Sequence, residues 1–377
     1  MTKWYDRILR AGMIAAAAFV LVTVPAPVGT GPGPAVAQEA GQVPGGTLGA
    51  APTSDFWRAI RQGDQGTVSG QNKQAGVLIQ SEGDNWRAIR NGPLSTYGVW
   101  ALAGAIGVVA LFFLLRGRIR IEAGRSSERV TRFGGVERFG HWLTAASFII
   151  LGFSGLNMLY GRYFLKDLLG PEAFAQATFY GKLVHNYVAF AFVVGLVLIL
   201  VVWIKDNLPS RTDIVWLLKG GGLLSRHSHP PAKKFNAGQK LIFWLVVLGG
   251  ASLSLSGLSL MFPFEFPMFA KTFEAMNAVG FEKVAGFALP TVLTPMQEMQ
   301  LSQLWHGVMA LVLIAIIIAH IYIGTIGMEG AFDAMGSGEV DANWAREHHS
   351  IWYEKVRAKK NASDTSGGQS EAPQPAE

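Results

Sequence analysis

The stretch LSQLWHGVMALVLIAIIIAHIYIGTIG, residues 301–327, decides the fold. It is apolar enough, and long enough, to form a helix across a bilayer's ~30 Å hydrocarbon layer, which takes about 20 residues. Inside it stand two titratable rings, His306 and His320. Ionisable residues at such depth are costly and mark function. Fourteen residues of helix rise about 21 Å and rotate about 1400°, about 40° short of four full turns. The two rings therefore share one side of the helix and stand near opposite membrane surfaces.

Five apolar segments of this kind follow one another: 97–115, 142–160, 185–204, 241–262 and 303–325. None has Asp, Glu, Lys or Arg in its middle. The 377 residues are 50% hydrophobic and 15% charged, where a soluble domain has about a quarter charged. An all-α integral membrane protein is expected, because backbone in lipid must satisfy its own hydrogen bonds. There is no cysteine. That excludes disulfides, Cys-ligated iron–sulfur clusters and a covalently attached c-type haem.

Ahead of the spans, residues 1–37 read as a signal peptide. Lys3, Arg7 and Arg10 precede the apolar run 11–24, and Ala35-Val36-Ala37 offers a cleavage site. Residues 38–96 are polar and Gly-rich and contain a short repeat, FWRAIRQG (56–63) and NWRAIRNG (85–92). Two copies are too few for a solenoid. They read either as short turns of helix or as Trp/Arg anchors for a partner protein.

Arginine and lysine set the orientation. The 116–138 loop holds seven arginines and the 205–240 loop seven Lys or Arg, against three in 161–184 and two in 263–302. The positive-inside rule puts the first two loops in the cytoplasm and the others in the periplasm. Residues 38–96 are then exported, and the tail from 326, with a disordered end, is cytoplasmic. The net charge of +6 is thus topological, and no nucleic-acid partner is implied.

With this orientation His306 is outer and His320 inner. His141, in RFGHWLTAAS, stands at the inner end of the second span, and His185, in GKLVHNYVAF, at the outer end of the third. Depth pairs His141 with His320 and His185 with His306. A single membrane histidine reads as well as a neutral ring bonded to a neighbouring helix. Four that pair with none left over point instead to two metal centres. Two imidazoles facing each other in a helix bundle suit haem iron. Zinc wants more ligands than two. Gly152, Gly155, Gly195, Gly257 and Gly307 leave room for a flat macrocycle, though glycine also serves plain helix packing. Arg138 could pair with a haem propionate, but reads more simply as an inside-facing arginine. In KKFNAGQKLIFW (233–244), Asn236, Gly238 and Gln239 offer polar groups to a quinone carbonyl. From spacing alone, helix capping by Asn236 is the simpler reading.

The elements RFGHW (138–142), KLVHNYVAF (182–190), DNLPSRTDIVWLL (206–218), FNAGQK (235–240), LWHGVMAL (304–311), HIYIG (320–324) and WAREHHSIWYEKV (344–356), in this order, resemble the gamma subunit of respiratory formate dehydrogenase, a di-haem cytochrome b. The resemblance covers roughly residues 130–357. It implies a four-helix di-haem bundle within 116–325, to which 97–115 adds one N-terminal transmembrane helix. It implies two haems b on the histidine pairs above. It implies a site for menaquinone or ubiquinone at Asn236, Gly238 and Gln239 near His320, which reverses the capping preference. It implies an iron–sulfur beta subunit and a molybdenum- or tungsten-containing alpha subunit that oxidises formate at the periplasmic face of a bacterial inner membrane. It implies that the formate site lies outside this chain, which is then an electron-transfer subunit. The N-terminal additions fall outside the resemblance and are read as a docking element for the exported partners. His348 and His349 match a family pair of no assigned role, and His227 and His229 read as solvated. Two alternatives stay open: the cytochrome b anchor of another periplasmic oxidoreductase, of hydrogenase or thiosulfate reductase type, and a haem-free membrane protein whose histidines relay protons. The second fits less well, because broken helices and internal repeats typical of transporters are missing from the sequence.

Overall fold

The computed structural model describes residues 66–67, 77–79, 82–222 and 228–367. The signal-peptide reading, the first repeat copy (56–63), His227 and the last ten residues lie outside them. Two compact units divide the chain: Met1–Ser81 with Asn157–Val184, and Glu82–Leu156 with His185–Glu377.

The described parts of the first unit are a two-stranded antiparallel pair, Gly66–Thr67 and Val77–Ile79, and the connection 157–184. In that connection Gly161 opens a 3-10 turn. A Cβ there would stand 2.9 Å from the Phe174 ring, so only glycine lets the turn close. Gly170, at φ +81°, then ends the short helix Leu165–Leu169, and Pro171 begins the next. Proline suits a first helical position because its missing N–H has no intrahelical partner there.

Among the described residues, five helices are long and apolar enough to cross a membrane: Asn85–Arg116, Gly135–Tyr163, Pro171–Trp203, Ala237–Met261 and Pro295–Gly327. Numbered first to fifth, they cover the expected segments to within a residue and make this a multi-pass, all-α membrane fold. Their ends have local causes. Asn236 and Gln239 form a capping box ahead of the fourth span, and Thr294 and Gln297 form another ahead of the fifth, with Pro295 at its first position. Gly117, at φ +67°, stops the first span. The third begins fourteen residues before His185, so its helix reaches about 21 Å beyond that ring.

The second repeat copy, NWRAIRNG, is helical and continues into the first span through a π turn at Arg90–Leu94. Pro93 lies in that turn and lacks the N–H a regular helix needs, and the Ser95 hydroxyl donates to the Arg90 carbonyl at 2.7 Å. Leu94 packs on Gly307 of the fifth span. Further along, Phe112 and Phe113 stand edge-on to Tyr322, with centroids 6.2 and 6.3 Å away. The extra N-terminal helix is therefore docked on the fifth span.

Glycines bring the other spans together. A Cβ at Gly249 would meet Leu313 of the fifth span at 3.1 Å, and one at the adjacent Gly250 would meet Leu196 and Phe192 of the third at 3.1 Å. Close helix approach of this kind is how membrane helices gain dispersion energy.

At the arginine-rich end the sequence reading gave a loop (116–138) and a tail (from 326). The structure folds them together. Strand Arg129–Thr131 pairs antiparallel with Glu339–Asp341. Asp341 caps the helix Ala342–His348 through Asn343 and Trp344 N–H. Glu329 pairs with Arg125 at 3.0 Å and Asp333 with Arg129 at 3.0 Å, while Glu347 accepts the Glu122 and Ala123 N–H groups. Val340, Trp344, Ala345 and Tyr353 are buried against Ile121, Phe133 and Phe235. Lys240 reaches Asp213 at 2.9 Å, which ties the DNLPSRTD segment to the start of the fourth span.

Candidate functional site

The structure brings the four membrane histidines together in two couples. The centroids of His141 and His320 are 6.3 Å apart, and those of His185 and His306 are 6.1 Å apart. A metal–imidazole bond is about 2.0 Å, and the ring centre lies roughly 1.2 Å behind the donor nitrogen, so two rings sharing one metal have centroids about 6.4 Å apart. Both couples match that spacing. Among the described residues no group of three or more His, Cys, Asp or Glu could hold a metal ion. Each couple thus presents two imidazoles that could share one metal.

In the second couple a serine hydroxyl stands against each Nδ1. The Ser154 hydroxyl lies 2.8 Å from the Ile150 carbonyl and 2.8 Å from His185 Nδ1. A hydroxyl that keeps its proton on the carbonyl accepts from Nδ1–H. Ser256 repeats the arrangement: it donates to the Ser252 carbonyl at 2.9 Å and lies 2.9 Å from His306 Nδ1. In both rings this leaves the Nε2 lone pair for a ligand, since metal-binding imidazoles commonly bind through one nitrogen and donate from the other. The next residue completes each cradle. A Cβ at Gly155 would lie 3.5 Å from His185 Cε1, and one at Gly257 3.6 Å from His306 Cε1. The tripeptide Ser-Gly-Leu at 154–156 and 256–258 thus seats one ring on each of two helices. The sequence reading used the glycines and missed the serines, although the repeated tripeptide was there to be seen.

The first couple lacks such serines. His141 Nδ1 is buried without a hydrogen-bond partner, and its ring lies against Trp142 and Trp203, with centroids at 5.2 and 6.4 Å.

Other expected site residues have packing or capping duties. Gly195 faces the Thr144 backbone, where a Cβ would stand 2.9 Å from the amide nitrogen. Gly152 faces Ile314. Arg138 donates to the carbonyls of Met335 and Gly336 and so anchors the turn before the last strand. Asn236 Oδ1 accepts from Gln239 N at 2.9 Å, and Gln239 Oε1 from Asn236 N at 3.1 Å. This box uses only the side-chain oxygens and leaves both NH2 groups as donors. Gly238 lies under the Trp216 ring, which a Cβ would meet at 3.0 Å.

Two further histidines gain a setting. His229 is exposed, as expected, and its Nε2 lies 2.7 Å from Glu122 Oε2. His349 is fully buried, with Nδ1 2.8 Å from the Lys233 carbonyl.

Comparison with known proteins gives one consistent result. The family model for prokaryotic cytochrome b561 matches residues 132–338, more than half of the chain. The cytochrome b556(Fdn) subunit of nitrate-inducible formate dehydrogenase from Escherichia coli K12 is 27% identical over 244 residues, 63% of this chain and 98% of that protein. The cytochrome b556(fdo) subunit from the same organism is 25% identical over 231 residues, 61% and 94% of the two chains. The formate dehydrogenase cytochrome b556 subunit of Haemophilus influenzae is 24% identical over 235 residues, 61% and 85%. The match takes in all four histidines and the last four spans. On that match, and on a bundle that sets its membrane histidines face to face, this chain belongs to the prokaryotic cytochrome b561 family.

Proposed function

We propose that the chain is the membrane-anchoring cytochrome b subunit of a formate-oxidising complex. It passes electrons from an iron–sulfur subunit and a molybdenum or tungsten subunit at the outer face, by way of two haems b, to menaquinone or ubiquinone at the inner face. Membership of a cytochrome b family implies haem b. The resemblance to formate dehydrogenase cytochrome subunits supports the choice of partners. The observation that carries the reading is the pair of histidine couples, at 6.3 and 6.1 Å, both using the fifth span at positions fourteen residues apart.

When bound, haem supplies one-electron chemistry at its iron. This chain's residues do the rest. His141 with His320, and His185 with His306, would hold the two irons. Ser154 and Ser256, within hydrogen-bond reach of Nδ1, would orient the outer rings. Gly155 and Gly257 keep the neighbouring helix backbones close to those rings. At the arginine-rich end, placed inside by the positive-inside rule, the NH2 groups of Asn236 and Gln239 offer donors to a quinone carbonyl. The capping box engages the side-chain oxygens, so capping and quinone binding are compatible at one helix start.

A reduced-minus-oxidised spectrum with haem quantification tests the reading. Two haems b per chain are expected, with one retained in His320→Ala and in His306→Ala. A chain without a b-type α-band, or equal loss of both haems in each variant, overturns it. Assay of the co-purified complex with formate, hydrogen and thiosulfate identifies the electron donor.

A further inference from the structure

Beyond the haem couples the structure holds a second set of histidines, and it lies at the arginine-rich end. Their surroundings are not those of packing residues. His348 Nε2, His349 Nε2, Arg132 Nε and Trp344 Nε1 are all buried without a hydrogen-bond partner. A histidine kept for structure normally has both nitrogens satisfied, because an orphaned buried polar atom is destabilising. Four orphans in one cluster suit a place where protons or water are handled.

The set forms a series from solvent inward. Glu122 and His229 hydrogen-bond at 2.7 Å, with side chains 45% and 31% exposed. The rings of His229 and His348 are 6.2 Å apart, a gap that one water or a small ring rotation spans. His348 and His349 flank the same indole, Trp344, at 5.4 and 5.2 Å. Arg132, buried beside both, lies 5.1 Å from that indole. Its Nη2 donates to the Lys234 carbonyl at 2.6 Å and to Gln239 Oε1 at 3.3 Å. The series therefore starts at a surface carboxylate and ends on the side chain that the functional reading assigns to quinone.

We propose that Glu122, His229, His348 and His349 form the proton-uptake line that serves the quinone site at Asn236 and Gln239, with Arg132 as its positioning residue. The inference rests on the functional reading above. Reduction of a quinone to its quinol takes two electrons, which formate supplies through the complex, and two protons, which water supplies at the Glu122 end. His229 and His348 each gain a proton on one nitrogen and lose one from the other, which leaves the opposite tautomer until the ring turns back; His349, whose Nδ1 faces the Lys233 carbonyl, takes up and gives back its proton at Nε2, so atoms and charge balance after each passage. Burial, together with the charges of His229 and Arg132, brings His348 down to about 4. It rests neutral at physiological pH and carries charge only in passing. The charged and titratable groups facing it are His229, Arg132 and His349. Arg132 also pins the Gln239 oxygen, which turns the amide NH2 away from the cap.

The test uses the purified complex with Glu122→Gln, His229→Gln and His348→Gln. Two rates are read: formate to quinone, and formate to a viologen dye, which takes electrons without needing protons at the inner face. Loss of a proton-transfer group is expected to slow quinone reduction by about tenfold or more, with the dye rate and haem spectrum unchanged and with rescue by added imidazole. Glu122 and His229 are partly exposed, so their variants keep the test sound should His348→Gln disturb folding. Quinone rates equal to wild type in the Glu122 and His229 variants, or slowed rates that imidazole does not restore, overturn the proposal. A wild-type complex that reduces the dye but no quinone overturns the functional reading instead.

Discussion

Substituting Gly195 probes the link between helix packing and the His141–His320 couple, the inner one in the proposed orientation. A Cβ at this position would stand 2.6 Å from Thr144 Oγ1, 2.9 Å from Thr144 N and 3.1 Å from Thr144 Cα. Carbon contacts become comfortable near 3.5 Å, so the second and third spans must part by about 0.6 Å at the amide. Thr144 has no easy way to yield. It is buried, its hydroxyl donates to the Gly140 carbonyl at 2.8 Å, and its backbone cannot rotate aside. Overpacking of this size costs about 1–3 kcal/mol. The strain has a direction, because Thr144 is three residues, less than one turn, from His141. His185 stands ten residues from Gly195, about 15 Å along the helix. Gly195→Ala is expected to lower the melting temperature followed at the haem α-band. Gly195→Val is expected to lose the inner haem selectively, as read by a redox titration that resolves two components. A Gly195→Val protein that keeps both haems and melts with the wild type would refute this account of the helix contact.

Three further outcomes are expected. Ser154→Ala and Ser256→Ala remove the hydroxyls on His185 and His306 Nδ1, so binding of the outer haem should weaken about 10–100-fold while the inner haem is unaffected, as read by haem retention on dilution. Glu298 is buried and accepts the Phe269 and Ala270 N–H groups at 2.8 and 2.7 Å; Glu298→Ala should cost about 1–3 kcal/mol by orphaning them, and Glu298→Gln less, measured by thermal melting. At Asp213, burial alone would raise the carboxyl, but hydrogen bonds from Lys240 and Ser210 hold it below its ordinary 3.8; its stabilisation is therefore present above that pH and lost as pH falls through the lower folded value, so Asp213→Asn should melt earlier than wild type at pH 7 and match it in strong acid.

The spans were legible because one bilayer thickness demands one window of about 20 apolar residues, and hydropathy alone reports it. The histidine couples were approachable because depth follows from orientation, and orientation from where the arginines fall. Other features gave no such signal. Strands Arg129–Thr131 and Glu339–Asp341 are three residues long, too short for an alternating pattern, and their partners are about two hundred residues apart. The ion pairs Arg125–Glu329 and Arg129–Asp333 span similar distances in sequence. Seven arginines in one loop looked like topology alone, yet Arg125, Arg129 and Arg132 also build the basic end. Asn236 shows a different limit. Both the capping and the quinone readings were stated; the structure shows the cap, formed through the side-chain oxygens, and the quinone reading stays a proposal.

The two couples differ in a way that bears on the proposed direction of electron flow. His185 and His306 each have Nδ1 within hydrogen-bond reach of a serine hydroxyl, whereas His141 Nδ1 is buried with no partner. An imidazole that donates from Nδ1 is the more basic ligand at Nε2. Were haem held as proposed, the serine-backed couple would favour oxidised iron more than the His141–His320 couple, which is the order that the proposed flow toward Asn236 and Gln239 needs. A redox titration of the wild type against Ser154→Ala and Ser256→Ala reads this: loss of a serine should raise the lower of two b-type potentials, and an unchanged pair of potentials would count against the argument.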